Sequence, residues 1–178
     1  WRRDSRAQAE VRRVIAVMSE TPEEKISVGV DGCGVPVFAV PFSNIARSFL
    51  RLARPELIRD DRLAEAVRHN AARLHAHPEM IAGRDLVCTV LAKNPDLLGK
   101  SGALGVYAMG IRSLGLGVVV KVMDGSHDEF GAIAIRVLES LGCAPGTLAE
   151  LKALNPDQIL NDNREVVGRR EAVFTPVP

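Results

Sequence analysis

Aromatic side chains are scarce in this sequence: one Trp, one Tyr and five Phe make up 4% of 178 residues. A core must therefore rest on Val, Leu, Ile and Ala, and a hydrophobic content of 47% supplies enough of them for one domain. Neither sign of charge is in excess, since 23 Lys and Arg face 22 Asp and Glu, for a net charge of +1. That balance argues against non-specific binding to nucleic acid. Arginines do gather at Arg2, Arg3, Arg6, Arg12 and Arg13, but on a helix such a cluster reads as a solvated face before it reads as a partner surface. No stretch approaches the roughly 20 apolar residues of a membrane span, and no signal peptide is visible. Cys33, Cys88 and Cys143 are too few and too irregularly spaced for a disulfide framework. A reducing, cytoplasmic setting is the simpler expectation. An initiator Met is missing as well: the chain opens on Trp1, and residues 1–178 are expected to form one domain that is the C-terminal portion of a larger protein.

What is present alternates between helical and strand periodicity. Val11, Val14, Ile15 and Met18 recur at helical spacing until Thr21-Pro22. Ile26, Val28 and Val30 alternate with small residues, which predicts a strand that delivers Asp31 to a turn. Residues 37–40 stay undecided. Further helices are predicted from Phe42 to about Leu50, from Asp60 or Asp61 to about His75, and over Gly83–Leu91 with a stop at Asn94-Pro95. Residues 106–111 and 117–122 read as two strands of a hairpin. Ser126–Leu141 reads as a helix with a Ser126/Glu129 capping box and a Gly142 terminator. A short helix over Thr147–Leu154 and a last strand near Glu165–Phe174 complete the chain. This order predicts a mixed α/β fold with an antiparallel or mixed sheet flanked by helices, rather than a repeating parallel one.

Two short runs carry residues able to do chemistry. Lys100-Ser101-Gly102, placed at the start of a strand, matches the Lys-Ser/Thr-Gly pattern of penicillin-binding proteins and serine β-lactamases. A lysine beside a hydroxyl can carry a proton once its amine is neutral. Three residues are a short pattern, and on them alone a surface lysine in a Gly-rich turn is the commoner outcome. Asp31-Gly32-Cys33-Gly34 leaves Cys33 as a metal ligand, a nucleophile or a tightly packed small residue. His69, His75 and His77 are better explained by a helix end near water than by a metal. Lys121 faces either a site or a sheet edge, while Cys88 and Cys143 read as structural. No phosphate loop, nucleotide fingerprint or His-Glu-x-x-His zinc motif occurs.

The runs also stand in a recognisable order. Asp31-Gly32-Cys33-Gly34-Val35-Pro36, then His77-Pro78-Glu79-Met80-Ile81-Ala82-Gly83, then Gly99-Lys100-Ser101-Gly102-Ala103-Leu104-Gly105-Val106-Tyr107 are followed by Lys121-Val122-Met123-Asp124-Gly125 and Asn163-Arg164-Glu165-Val166-Val167-Gly168. The sequence resembles the thermolabile, rhizobial-type L-asparaginase II family over nearly its whole length. The resemblance implies a serine β-lactamase/glutaminase-like fold, a homodimer, and hydrolysis of L-asparagine to L-aspartate and ammonia. It implies that Lys100 is a catalytic lysine working with serine hydroxyls, and that Cys33 is one ligand of a zinc ion near the substrate. Asp31 is implied to hold the substrate's α-amino group or to orient its neighbours.

The same resemblance places the family's nucleophilic serines, its Ser-x-x-Lys lysine and the other zinc ligands upstream of Asp31, where this sequence has none of them. Ser43, Ser48 and Ser101 do not match the nucleophile positions. The 178-residue chain is accordingly expected to be inactive alone, to bind zinc poorly, and to expose an apolar sheet face. Two other readings stay open: a glutaminase- or β-lactamase-like serine acyltransferase, and a non-catalytic homologue acting as a binding or dimerisation module.

Overall fold

The computed structural model describes residues 2–176. It holds seven α-helices and seven strands among the described residues, with the strands paired into three small antiparallel sheets flanked by helices. The first helix, α1 (Arg6–Ser19), starts where the Ser5 hydroxyl accepts from the Gln8 amide and ends at Glu20, which adopts a left-handed conformation. Its arginines are not idle. Arg13 pairs with Glu10 and Asp60, and Arg12 donates to the carbonyl of Ile26 at 3.4 Å, tying the helix to its neighbours.

A hairpin follows, with β1 (Ser27–Val30) paired to β2 (Pro36–Ala39) and Asp31–Gly34 at its tip. The strand periodicity of Ile26, Val28 and Val30 is thus realised, and the undecided segment after Pro36 is its partner strand. Next, α2 (Phe42–Ala53) leads to α3 (Asp61–Ala76), whose start is capped by the Asp60 carboxylate accepting from the Leu63 amide at 3.0 Å. Leu63, Ala64 and Val67 of α3 pack with Ile58, Leu52 and the Val14, Val17 and Met18 stripe of α1 into a small second core.

The helix predicted over Gly83–Leu91 forms only from Val87 onward. A single turn, α4 (Glu79–Ala82), ends at Gly83, and α5 (Val87–Ala92) starts four residues later. Gly83 at φ 96° and Asp85 at φ 58° are incompatible with a continuous right-handed helix.

The central sheet has the order β3 (Leu97–Gly102), β4 (Val106–Ile111), β5 (Leu116–Lys121). Lys100 does not open a strand, as its sequence context suggested. It is the fourth residue of β3, because Asn94 accepts the amides of Asp96 and Leu97 and launches the strand at Leu97. Directly opposed residues share a face. One face therefore carries Leu98, Lys100, Gly102, Val106, Ala108, Gly110, Gly117, Val119 and Lys121, and the other carries Leu97, Gly99, Ser101, Tyr107, Met109 and Ile111. The first receives α2; the second is the main core, closed by α5, α6 (Phe130–Leu141) and α7 (Pro145–Leu154). Tyr107, Leu91, Leu97, Met109, Ile111, Leu138 and Leu151 are its fully buried centre.

The predicted capping box at Ser126 and Glu129 does not form. Ser126 accepts from the Asp128 amide at 3.3 Å instead, so α6 begins at Phe130 with no side-chain cap. Gly142 ends that helix at φ 61°, as its position implied. The last strand is shorter than predicted: β7 (Val166–Arg169) pairs with an unforeseen β6 (Gln158–Leu160), and Phe174 returns to the main core. Helices cover both faces of β3–β5, so the apolar sheet surface expected from the sequence is not there. Exposed apolar side chains are found on the strands of the two outlying hairpins, including Val30, Val37, Leu160, Val166 and Val167, and elsewhere at residues such as Leu104, Leu116 and Met123.

Candidate active site

An antiparallel edge strand alternates residues that bond its neighbour with residues whose amide and carbonyl point outward. On β3 the outward residue is Ser101. Its amide donates to the Cys88 sulfur at 3.2 Å, and its carbonyl accepts from Lys100 Nζ at 2.9 Å. The stem of Lys100 rises from the α2 face, and its amine bends round the free edge to reach the Ser101 hydroxyl at 3.3 Å as well. Cys88 of α5 closes the group from below, its Sγ 3.7 Å from that hydroxyl. Lys100 is exposed, Ser101 half-buried and Cys88 buried, so the polar atoms of the group run from solvent into the core.

Beneath them lies Tyr107, opposite Ser101 in the strand register and fully buried. Its hydroxyl has no hydrogen-bond partner. Burial, and then the neighbouring Cys88, push its ionisation well above the usual phenol range, so the group stays neutral. Gly99 makes the room it needs, because a Cβ there would lie 3.0 Å from the Tyr107 oxygen and 2.9 Å from Leu91 Cδ1. Neither Cys88 nor Tyr107 was singled out from sequence as a functional residue. The signal for Tyr107 was the pairing of β3 with β4, which follows once Leu97–Gly102 is read as a strand. Cys88 had no local signal at all.

Lys121 is also placed. It does not point into a cleft: its Nζ donates to the carbonyls of Leu104 and, at 3.1 Å, Val122, tying down the turn that follows β3. That turn depends on Gly105 at φ 74°, where an added Cβ would lie 2.8 Å from Val122 O.

The hairpin tip is a separate feature. Asp31 Oδ1 accepts from the Gly32 amide at 2.7 Å, the Gly34 amide donates to Asp31 O at 2.8 Å, and Cys33 Sγ lies 3.9 Å from Asp31 Oδ2. Cys33 is exposed and unpaired. No hydrogen bond or ion pair among the described residues joins this tip to Lys100. A cleft of about 320 Å³ opens at the other end of β3, lined by residues including Arg68, His75, Asp96, Leu98 and Arg112; Lys100, Asp31 and Cys33 do not line it.

The donor set can be tested against zinc. Cys33 and Asp31 offer two donors, whereas zinc takes four ligands in structural sites and three protein ligands in catalytic ones. No cluster of three or more His, Cys, Asp or Glu among the described residues is arranged for a metal. His75 contacts the Ala92 carbonyl at 2.8 Å and His69 the Glu65 carboxylate at 2.8 Å, so the histidines do not complete it. Among the described residues, these donors do not make a zinc site.

The three thiols differ in reach, and this gives an expected result. Cys143 is half-buried, and its thiol is held above the ordinary range by burial and then by the Asp96 carboxylate. Since the thiolate is the nucleophile, iodoacetamide at neutral pH should modify Cys33 first, Cys143 slowly, and Cys88 only on unfolding. Peptide mass spectrometry over a time course reads the order; early labelling of Cys88 would contradict its burial.

No helix of the described residues is long and apolar enough to cross a membrane. No curated protein sequence matches the chain. A family model described as L-asparaginase II matches residues 1–172. Matched over nearly its whole length, the chain belongs to the L-asparaginase II family, and so to the asparaginase-type amidohydrolases.

Proposed function

We propose that this chain supplies the catalytic lysine of an L-asparagine amidohydrolase, which converts L-asparagine and water to L-aspartate and ammonia. The observation that carries the reading is the exposed Lys100 amine, held on the rim of an edge strand 3.3 Å from a hydroxyl. An amide is a poor electrophile, so a serine must lose its proton as it attacks, and a neutral amine is a suitable acceptor. Lys100 takes that proton and returns it to the leaving ammonia. Backbone amides near Gly102 and Ala103 are the proposed donors to the tetrahedral oxyanion. Asp31 is proposed to meet the substrate's α-amino group, although one of its oxygens is engaged with the turn. A glutaminase-like fold, cytoplasmic location and homodimeric assembly are proposed on the family resemblance.

The attacking hydroxyl is not among the serines near at hand. Ser48 donates to Asn44 O within α2, and Ser101 is half-buried against Cys88. The 178-residue chain is therefore expected to release ammonia from L-asparagine only at background.

The test is a hydrolysis panel of L-asparagine, L-glutamine and a chromogenic β-lactam, run on the protein as its gene encodes it. Ammonia release with asparagine ahead of glutamine supports the reading, a preference worth about 1–3 kcal/mol for one methylene. Opening of the β-lactam without ammonia release would replace it with an acyltransferase, and binding without turnover would make the protein a non-catalytic module.

A further inference from the structure

Cys88 reads from sequence as a packing residue, but its contacts are not those of one. Its sulfur accepts the outward amide of Ser101 at 3.2 Å and lies 3.7 Å from the Ser101 hydroxyl. The same hydroxyl and the same residue's carbonyl hold Lys100 Nζ, at 3.3 and 2.9 Å. Ser101 is thus gripped by a thiol on its buried side and an amine on its exposed side. An edge strand leaves such an amide for water or another strand; here a sulfur has taken it.

We propose that Cys88 is a positioning residue for Lys100, acting through Ser101, with the buried hydroxyl of Tyr107 as the second support of the thiol. Two independent observations converge on it. The first is the sulfur at the strand edge. The second is Tyr107, fully buried beside Gly99 with an uncommitted hydroxyl. A buried hydroxyl without a partner costs free energy, and the group held neutral next to Cys88 is a donor without an acceptor of its own. With that phenol beside it, the thiol directs its own S–H toward Ser101 Oγ, 3.7 Å away. The serine oxygen is then fixed toward the amine, and the lysine keeps one rotamer instead of sampling solvent. The other cation on this face, Lys121, is occupied with the carbonyls of Leu104 and Val122, so the Lys100 environment is set chiefly by Ser101 and Cys88. The inference rests on Lys100 being the functional amine of the proposed hydrolase.

The experiment uses the 178-residue chain with lysines labelled for NMR, and compares it with Cys88→Ala, Cys88→Ser and Tyr107→Phe. Two quantities are read without substrate: the amide exchange rate of Ser101 against that of Leu98, and the order parameter of the Lys100 side chain. Cys88→Ala should speed Ser101 exchange about tenfold, as expected for one lost hydrogen bond. It should also release the Lys100 side chain, so that its order parameter falls to that of a lysine free in solvent. Cys88→Ser, whose hydroxyl also accepts, should recover both in part, and it carries the comparison alone if the alanine variant does not fold. Tyr107→Phe should loosen Lys100 as well, by less than Cys88→Ala. A Lys100 side chain equally ordered in all four proteins overturns the proposal, even if Ser101 exchange changes, because it reduces Cys88 to a packing residue. Adding L-asparagine is a separate arm: no response of Lys100 to it would count against the hydrolase reading and leave the role of Cys88 standing.

Discussion

Gly117→Ala is expected to lower the melting temperature by roughly 6–12 °C, which corresponds to about 3 kcal/mol in a domain of this size. A Cβ at Gly117 would lie 1.9 Å from the Ala46 carbonyl oxygen and 2.6 Å from its carbon. These are backbone atoms of α2, with no rotamer to change, so the whole helix must lift from β5. Gly110 stands beside it in the register, and its added Cβ would lie 2.1 Å from Phe49 O and 2.8 Å from Ala53 Cβ. Gly110→Ala should therefore cost a similar amount. The double variant should cost less than the sum, because one displacement of α2 relieves both contacts. Gly146→Ala, in α7 with nothing within 4 Å of its added Cβ, is the control. It should be neutral or stabilising by about 0.4–1 kcal/mol, through the unfolded chain. Thermal denaturation followed by circular dichroism distinguishes the two classes. A Gly117→Ala protein as stable as the parent would mean that α2 does not lie on this face.

The second large effect concerns chemistry rather than packing. In the protein as its gene encodes it, Lys100→Met should cut asparagine turnover by about 10²–10⁴-fold, the range for loss of a general acid–base group. The melting temperature should change little, since Lys100 is exposed and no ion pair of the described residues uses it. Lys100→Arg should fail to restore activity, because a guanidinium keeps its proton at any working pH and cannot accept one from a hydroxyl. Ammonia release under saturating asparagine measures both. Retained turnover in Lys100→Met would remove the amine from the mechanism and leave the Ser101 cluster as a strand-edge cap. In the 178-residue chain by itself, ammonia release should stay at background whichever residue occupies position 100.

The asymmetry between these two effects shows how far local information reaches. Helices α1, α2, α3 and α7 could be read from spacing and terminators, because an amphipathic stripe is imposed residue by residue and needs no knowledge of its partner. The β4–β5 hairpin was legible for the same reason. Reading failed where a side chain had two local bonding options. Ser126 could cap α6 through a residue three positions on or close a turn two positions on, and it closes the turn. Gly83–Leu91 failed because a left-handed Asp85 interrupts an otherwise helical pattern.

Composition and periodicity were enough to predict a mixed α/β chain, and the ordered motifs carried the resemblance to the L-asparaginase II family that marks Lys100, Cys33 and Asp31 as candidates. The grip on Ser101 could not be read that way. Cys88 and Ser101 are 13 residues apart, and nothing in either local pattern says that the thiol of one will occupy the bare edge amide of the other. Hydrogen bonds of this kind depend on which strand is left without a neighbour, and that is settled only when α5 docks along β3. The close seating of α2 is the same case: Gly110 and Gly117 look like ordinary weak points of two strands until a helix backbone lies across them. Spacing along a chain encodes faces, and only the packing of those faces decides which atoms meet.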